Sequence, residues 1–468
     1  MDYSRLRVVI LGLARQGTAL ARYLAAQGAH VVVSDLKSAE SLGERLEALR
    51  GLNLEFILGG HPLQVLDGAD MLFLSGGVPG DLPLVVEARR RGIPISNDSQ
   101  VFLEACPART IGITGSAGKT TTTALVAEIA RASTAFAKPA AVWMGGNVGN
   151  PLIAELEQVR PGDLVVMELS SFQLEWMTRS PNIAAILNLT PNHLDRHGTM
   201  AAYREAKARI LQAQGLQDWA VLGWDSPEAR GLLERAQGRS AFFSLDSHAA
   251  QDWIDGSFLE EGWIVVRRAR RDARVLPSRE IRLRGRHNLA NVVAACLLAS
   301  LAGVPAQEMG EAIRRFPGVP HRLEFVGRIQ GADWYNDSIA TAPERAIAAI
   351  ESFSEPLVLL AGGRDKKLPW EDWALRVRSR VDHLILFGES AALLESALTS
   401  TPNLGRPMTV TRCAGLEEAV RAAAKVARPG SVVLLAPGGT SFDEFHDFEE
   451  RGERFREWVK QLQQEAGE

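Results

Sequence analysis

The chain has 468 residues, 46% of them hydrophobic and 23% charged, with a formal net charge of -4. These values describe an ordinary globular protein of about three domains. They exclude the overall basic field that would recruit nucleic acid or an anionic membrane. Three widely separated cysteines, Cys106, Cys296 and Cys413, lack C-x-x-C spacing, which argues against a disulfide framework and a cysteine zinc site and points to a reducing, cytoplasmic setting.

In chain order, the apolar run before Arg15 in MDYSRLRVVILGLAR is too short for a signal segment or a membrane span. Val8 to Leu11 reads as a strand, Gly12 and Gly17 flank a turn, Leu20, Leu24 and Ala25 continue as a helix, and Val31 to Asp35 is a second strand. This is the opening of a Rossmann-like unit. Asp35 stands where a dinucleotide fold puts its ribose-binding acid, yet Ala14 replaces the middle glycine of G-x-G-x-x-G. The spelling therefore shows a nucleotide-compatible βαβ unit without choosing the nucleotide, and an NAD(P)-dependent oxidoreductase stays open as a rival. MLFLSGGVP then ends in Ser75-Gly76-Gly77, either a phosphate contact or a plain tight turn. The block closes near Cys106-Pro107.

The next block opens with TIGITGSAGKTTTT, Thr110 to Thr123. Ile111 and Ile113 end a buried strand, while Leu125, Val126 and Ile129 keep the spacing of a helix face. Between them Gly115 and Gly118 let backbone N–H groups face a ligand at the positive end of the helix, a geometry that holds polyphosphate. Lys119 is placed to reach the β/γ-phosphates and Thr120 to hold Mg²⁺, although Ile113 stands where the first P-loop glycine is expected. Polar groups recur at the ends of later apolar runs. GGNVGN, Gly145 to Asn150, is a turn whose amides suit a sugar or phosphate or serve only the turn. In DLVVMELSSFQLE, Leu164 to Met167 form a buried strand. Glu168 follows as a Walker-B-like acid, and Ser170, Ser171 and Gln173 are expected to face the same cleft.

AAILNLTPNHLDRHG has strand character from Ala184 to Leu189, then His193, Asp195 and His197 within five positions. Zinc ligands prefer other spacings and a phosphate loop favours a hard ion, so a solvated loop is the plain alternative. In TMAAYREAKARIL, Met200, Tyr203, Ile210 and Leu211 share one helix face with Lys207. That lysine either snorkels to solvent or is buried as a neutral amine able to add CO₂ and become a carbamate. RLRGRHNLANVVAACLLASLAG places Asn288 and Asn291 three apart at a helix start, suited to a nucleobase or, for one of them, to capping.

A break at Phe316-Pro317-Gly318 opens the third block. PLVLLAGG, HLILFGE and SVVLLAPGG alternate with helical stretches, the pattern of a parallel, doubly wound sheet. Arg364, Asp365, Lys366 and Lys367 follow the first of these strands, and Gly438 to Phe442 the last. From Phe445 an amphipathic helix closes the chain. The fold class expected is α/β with three domains, 1–106 and 318–468 Rossmann-like and 107–317 a P-loop ATPase-type domain with a mixed, mainly parallel sheet.

Jointly and in order, GITGSAGKTTTT, GGNVGN, ELSSFQLE, NHLDRHG with Lys207, GRHNLAN, PHRLE, NDSIAT, AGGRDKK and GGTSFDEFHDFEERG resemble the Mur ligase family over essentially the whole chain. NDSIAT, ELSSFQLE and the SFDEF run resemble its D-glutamate-adding branch. The resemblance implies an ATP-dependent amide ligase that activates UDP-N-acetylmuramoyl-L-alanine as an acyl phosphate, with a first domain for the UDP-sugar, a second for ATP and a third that carries the amino acid and closes over the site. It implies ATP contacts at Gly115, Ser116, Ala117, Gly118, Lys119, Thr120, Thr121, Asn288, Asn291, Arg322 and Asp337. UDP-substrate contacts are implied at Arg15, Gln16, Asp35, Ser75, Asn147, Ser170 and Gln173, and D-glutamate contacts at Thr341, Lys366, Ser441, Phe442 and Phe448. Of two Mg²⁺ ions, one falls to Thr120 and Glu168 and the other to His193 and a carbamate on Lys207. Lys119, Glu168, His193 and Lys207 are then the catalytic set. A monomer with small-molecule partners is expected. Ala117, Gly76, Ile339 and Ala342 depart from the commonest family spelling, and none removes a phosphate or metal group. The rivals are a sister amide ligase such as a folylpolyglutamate synthase, and a P-loop ATPase without a ligase step.

Overall fold

Residues 1–136, 140–402 and 405–467 are described in a computed structural model, with the side chain of Asp195 outside that description. They divide into two units, Met1–Glu280 with Ala290–Arg315, and Ile281–Leu289 with Phe316–Glu468.

The first unit begins with a five-stranded parallel sheet. Its strands are β1 (Arg7–Leu11), β2 (His30–Asp35), β3 (Leu54–Leu58), β4 (Met71–Leu74) and β5 (Ile95–Ser96), in the order β3-β2-β1-β4-β5. Apolar runs such as VVIL and MLFL are buried on both faces, as a covered parallel sheet requires. Helix α1 (Arg15–Ala26) buries Leu20, Ala21 and Leu24 against it, as the spacing predicts, while Ala25 is half-buried. Gly17 has a packing reason: a Cβ there would lie 1.9 Å from the carbonyl oxygen of Gly12. Helix α2 (Asp98–Ala105) leads into the second sheet.

That sheet has nine strands: β6 (Arg109–Thr114), β7 (Val142–Gly146), β8 (Leu164–Glu168), β9 (Ile183–Ile186), β10 (Trp219–Gly223), β11 (Arg239–Ser244), β12 (Gly256–Glu260), β13 (Trp263–Arg268) and β14 (Arg271–Pro277). Their order is β14-β13-β12-β11-β10-β9-β6-β8-β7. Pairing is parallel from β7 to β12 and antiparallel through β12, β13 and β14, so the sheet is mixed. No strands were expected between Trp219 and Pro277. The strand expected over Ala184 to Leu189 runs from Ile183 to Ile186 because the chain then turns to wall the phosphate loop, with Ser116 N–H donating to the Asn188 carbonyl. Around the sheet lie α3 (Lys119–Ala132), α4 (Ser171–Leu174), α5 (Met200–Gln212) and α6 (Arg286–Ala302). One apolar cluster joins Val8, Ile10 and Phe73 of the first sheet to Val165, Met167 and Ile186 of the second, through Phe102, Leu152 and Ile153.

The second unit is built on β15 (Glu324–Ile329), β16 (Ala332–Asn336), β17 (Leu357–Gly362), β18 (His383–Phe387), β19 (Thr409–Arg412) and β20 (Val432–Gly438), in the order β15-β16-β20-β17-β18-β19. The three expected strands are there and parallel. An antiparallel β15–β16 hairpin and the edge strand β19 add to them. Helix α7 (Pro343–Ile350) starts with its proline in the first turn. The closing helix α8 (Phe448–Ala466) begins three residues after Phe445, where the Asp447 carboxylate accepts the N–H of Glu450 as an N-cap. The α/β class is therefore as expected. Among the described residues no helix is long and apolar enough to cross a membrane.

Candidate active site

Strand β6 lies between β8 and β9, and the chain leaves its carboxyl end in one direction to reach β7 and later returns on the other side as β9. Open α/β sheets bind ligands at such a switch point. Gly115 to Gly118 turn there into α3. Gly118 has φ +84°, and a Cβ would come 2.2 Å from the Asn291 amide oxygen, so only glycine fits. The Asn188 amide brackets Ala117, accepting its N–H at 2.9 Å and donating to its carbonyl at 3.1 Å. Ser116 Oγ donates to the Thr190 carbonyl at 2.9 Å and lies 3.0 Å from the Tyr203 hydroxyl. Lys119 opens α3 with its ammonium donating to the Gly115 carbonyl at 3.0 Å, and Thr121 is buried in the same first turn.

Glu168 ends β8 as the sequence predicts. Its carboxylate accepts the Thr120 hydroxyl at 2.7 Å on one oxygen and the Asn147 amide at 2.9 Å on the other. Lys207 is 1% exposed. Its amine donates to Thr114 Oγ1 at 3.1 Å and to the Gly115 carbonyl at 3.0 Å, and sits 4.8 Å from the Tyr203 ring centre. The snorkelling alternative thus fails. Burial, reinforced by the neighbouring Lys119 charge, holds this amine well below the usual lysine range and so favours its neutral form.

Lys119 and Lys207 share one acceptor, the Gly115 carbonyl, beside the Thr120–Glu168 pair. His193 stands further out. It is exposed, with a left-handed backbone (φ +54°), and its ring meets Phe172 edge-on at 5.2 Å. His197 stacks on the same Phe172, lies 2.9 Å from Ser171 Oγ and tilts against Tyr203, and burial lowers its pKa. A run of rings therefore connects His193 to Lys207. Carboxylate and hydroxyl oxygens at Glu168 and Thr120 are the hard donors that suit Mg²⁺. Among the described residues no three His, Cys, Asp or Glu side chains converge, so an ion here would need phosphate oxygens or water as well.

At the carboxyl ends of the first sheet, Asp35 accepts the backbone N–H of Leu13 at 2.6 Å and of Lys37 at 2.8 Å, and Ser75 Oγ donates to the Gly12 carbonyl at 2.7 Å. Both brace the β1 turn. Gln16 spans from the Gly76 N–H to the Gly146 carbonyl, at 3.2 and 3.3 Å. Arg15, its neighbour, turns elsewhere and lines a cavity with Arg22 and Arg45. Ser170 and Gln173 form a capping box around α4, and the Gln173 amide, 1% exposed, donates onward to Ser99 Oγ at 2.9 Å. Ser171 faces His197, so the three polar groups of this stretch diverge.

In the second unit, Asp337 follows β16 and accepts the Leu323 N–H at 3.0 Å, and burial pushes its carboxyl up to about 6. Arg322 adjoins that bond in sequence, and its charge acts on Asp337. The Asn288 amide donates to the Arg284 carbonyl at 2.7 Å, a bond to a carbonyl rather than the acceptance of a backbone N–H that the anticipated capping involves. Lys366 donates to Thr341 Oγ1 at 3.2 Å, and partial burial lowers its pKa. Ser441 is buried, Phe442 is 60% exposed, and the half-buried Phe448 ring meets His321 edge-on. Arg451 was not anticipated. It is fully buried, donates to Ser338 Oγ at 3.0 Å and to the Ser338 and Gly439 carbonyls at 2.8 and 3.2 Å, and so ties the ends of β16 and β20 together.

A glycine turn at a helix start, a strand-end acid and a buried lysine on a nine-stranded sheet, followed by a doubly wound second unit, are the arrangement expected of an ATP-dependent amide ligase. Family descriptions match in the same order: "Mur ligase MurD-like, N-terminal domain" over residues 6–97, "Mur ligase middle domain" over 113–299 and "Mur ligase, glutamate ligase domain" over 321–439. The chain is 42% identical over 456 residues to the UDP-N-acetylmuramoylalanine--D-glutamate ligase of Symbiobacterium thermophilum, covering 97% of this chain and 98% of that one. It is 38% identical to the ligase of the same name from Pelotomaculum thermopropionicum, covering 98% and 99%. Among solved structures it is similar to the UDP-N-acetylmuramate-alanine ligase of Thermotoga maritima, with TM-score 0.57, 20% identity and coverage of 98% and 100%, a likeness of fold. The chain belongs to the Mur ligase family and is a ligase.

Proposed function

We propose that this chain joins D-glutamate to UDP-N-acetylmuramoyl-L-alanine at the expense of ATP, a cytoplasmic step of peptidoglycan-precursor synthesis that serves cell-wall growth, cell shape and division. The observation that carries the reading is the buried, neutral-leaning Lys207 sharing the Gly115 carbonyl with Lys119 beside the Thr120–Glu168 pair. The full-length relatives named for this reaction support the choice of substrates.

A carboxylate is a poor electrophile in water. Its oxygen attacks the γ-phosphorus of ATP, the bond to the bridging oxygen breaks and ADP leaves, which gives an acyl phosphate. The amine of D-glutamate adds to that carbonyl, the carbon–oxygen bond to phosphate breaks and inorganic phosphate departs. The ammonium proton passes to His193 or to solvent. Lys119 and the backbone N–H groups of Gly118 to Thr121, at the open start of the helix, offset the charge of the phosphates. Mg²⁺, when bound by Thr120 and Glu168 and by His193 with a carbamate on Lys207, supplies further positive charge to the phosphate oxygens. A neutral amine is the form that adds CO₂, and the lowered pKa of Lys207 favours it.

In this reading, residues 1–106 take the UDP-sugar, through Gln16, Asp35 and Ser75 with Asn147, Ser170 and Gln173 from the next segment, while Arg15, expected there from the sequence, turns to a different cavity. Residues 107–317 take ATP, with Asn288 and Asn291 beside the nucleotide and Arg322 and Asp337 contributing from the third segment. Residues 318–468 take D-glutamate through Thr341, Lys366, Ser441, Phe442 and Phe448, and the active species is a monomer. The test is coupled release of ADP and phosphate from the purified chain, with a panel of amino acids offered to the UDP-muramoyl acceptor. Release should require both UDP-N-acetylmuramoyl-L-alanine and D-glutamate. Rapid turnover without an amino acid, or preference for a different one, overturns the assignment.

A further inference from the structure

Arg15 and Gln16 adjoin in sequence and serve different places. Gln16 bridges the Gly76 and Gly146 turns. Arg15 is the first of a stripe along α1, continued by Thr18, Ala19, Arg22, Tyr23 and Ala26 at steps of three and four, that forms one wall of a cavity of about 370 Å³. Pro151, Ile153 and Ala154 add apolar lining from a second segment, and Arg45 and Glu157 add charged groups. The volume falls within the range of about 300–1,000 Å³ found for small-molecule sites.

The charge around this cavity is unbalanced. Arg15, Arg22 and Arg45 line it with a single carboxylate, Glu157, and none of the three appears among the ion pairs of the described residues. Arg22 donates to the Ala48 carbonyl, which fixes one end of its guanidinium and leaves donors to spare. The Tyr23 phenol stays protonated, because burial and the neighbouring Glu157 both raise its pKa, and so remains a hydrogen-bond donor. Guanidiniums without carboxylate partners beside an apolar wall match an anion that carries an aromatic or aliphatic body.

We propose that this cavity is a binding site for a small amphipathic organic anion, separate from the β1–β4 turn held by Asp35 and Ser75. The two places are mechanically joined, since α1 begins where that turn ends. A ligand lying along its stripe therefore bears on the same backbone from the other side.

The probe is 1-anilinonaphthalene-8-sulfonate, an aryl sulfonate, titrated by fluorescence into the full chain with saturating UDP present. One saturable site is expected, with UDP and the probe bound together. Arg45→Glu should weaken the probe at least about tenfold, or about 1.4 kcal/mol, while leaving unchanged the affinity of the uncharged analogue N-phenyl-1-naphthylamine. Ala154→Trp, which places an indole in the cavity, should abolish binding of both, and decides the matter should Arg45→Glu fail to fold by circular dichroism. One-for-one displacement of the probe by UDP, or wild-type affinity in both folded variants, overturns the proposal.

Discussion

The carboxyl ends of the strands in the two units are built on different terms. In the first unit the polar groups satisfy one another before any ligand arrives: Thr120 and Asn147 hold Glu168, Asn188 brackets Ala117, and Lys119 and Lys207 converge on one carbonyl. In the second unit the fixed element is the buried Arg451, while Lys366 donates to Thr341 and Phe442 stands in solvent. Charge stabilisation of phosphoryl transfer gains most from groups that need no reorganisation. A pocket for an incoming amino acid can be completed by the ligand itself, with an ordering cost at each binding event.

That contrast can be broken most sharply at Lys207. Lys207→Ala should lower kcat by about a thousandfold or more, with partial recovery in bicarbonate or a short carboxylate, and unchanged turnover would refute the carbamate. Glu168→Gln comes next, with kcat down about a hundredfold and a higher Mg²⁺ requirement, read by varying the metal at saturating substrates. Lys366→Ala should act mainly on KM for D-glutamate, raising it about tenfold or more with a smaller change in kcat. If Lys366→Ala instead cost kcat alone, the second unit would be as prebuilt as the first and the distinction would fall.

Lys207 was legible as an anomaly because it shares a helix face with Met200, Tyr203, Ile210 and Leu211, but whether it snorkels or is buried was decided only by the fold. Glu168 was legible because it closes an apolar run, and the parallel strands because glycine turns alternate with helical stretches. Asn188 was not, since its partner Ala117 is 71 residues away and an asparagine after a strand reads as a turn. Arg451 sits in FEERGERFREW among charges that mostly face water. Ser338 Oγ and the Ser338 and Gly439 carbonyls, supplied from just past two strands distant in sequence, compensate its burial. The strands from Trp219 to Pro277 were missed because their pairing is set by tertiary neighbours more than by local spacing.

The smallest expected effects compare a buried acid in each unit. Burial raises the carboxyl of Asp98 to about 7 and that of Asp337 to about 6. A carboxyl raised on folding contributes stability while protonated and loses it as pH rises through the folded pKa. Asp98→Asn should therefore stabilise the chain above about pH 7 by at most about 4 kcal/mol, and Asp337→Asn above about pH 6 by at most about 3 kcal/mol. Both gains should fade toward pH 4, and denaturant midpoints at pH 5 and pH 8 read the difference. A gain independent of pH would mean that the carboxyls are already neutral or hydrated.

The Gln173 amide has one hand on Ser170, two residues beyond the strand that carries Glu168, and the other on Ser99, while Asn97 grips the Gln173 carbonyl. Such a rivet leaves little slack. Tension on residues 97–99 is felt almost at once at the acid beside the phosphate loop, so amides on either side of the rivet should exchange with deuterium at one common rate.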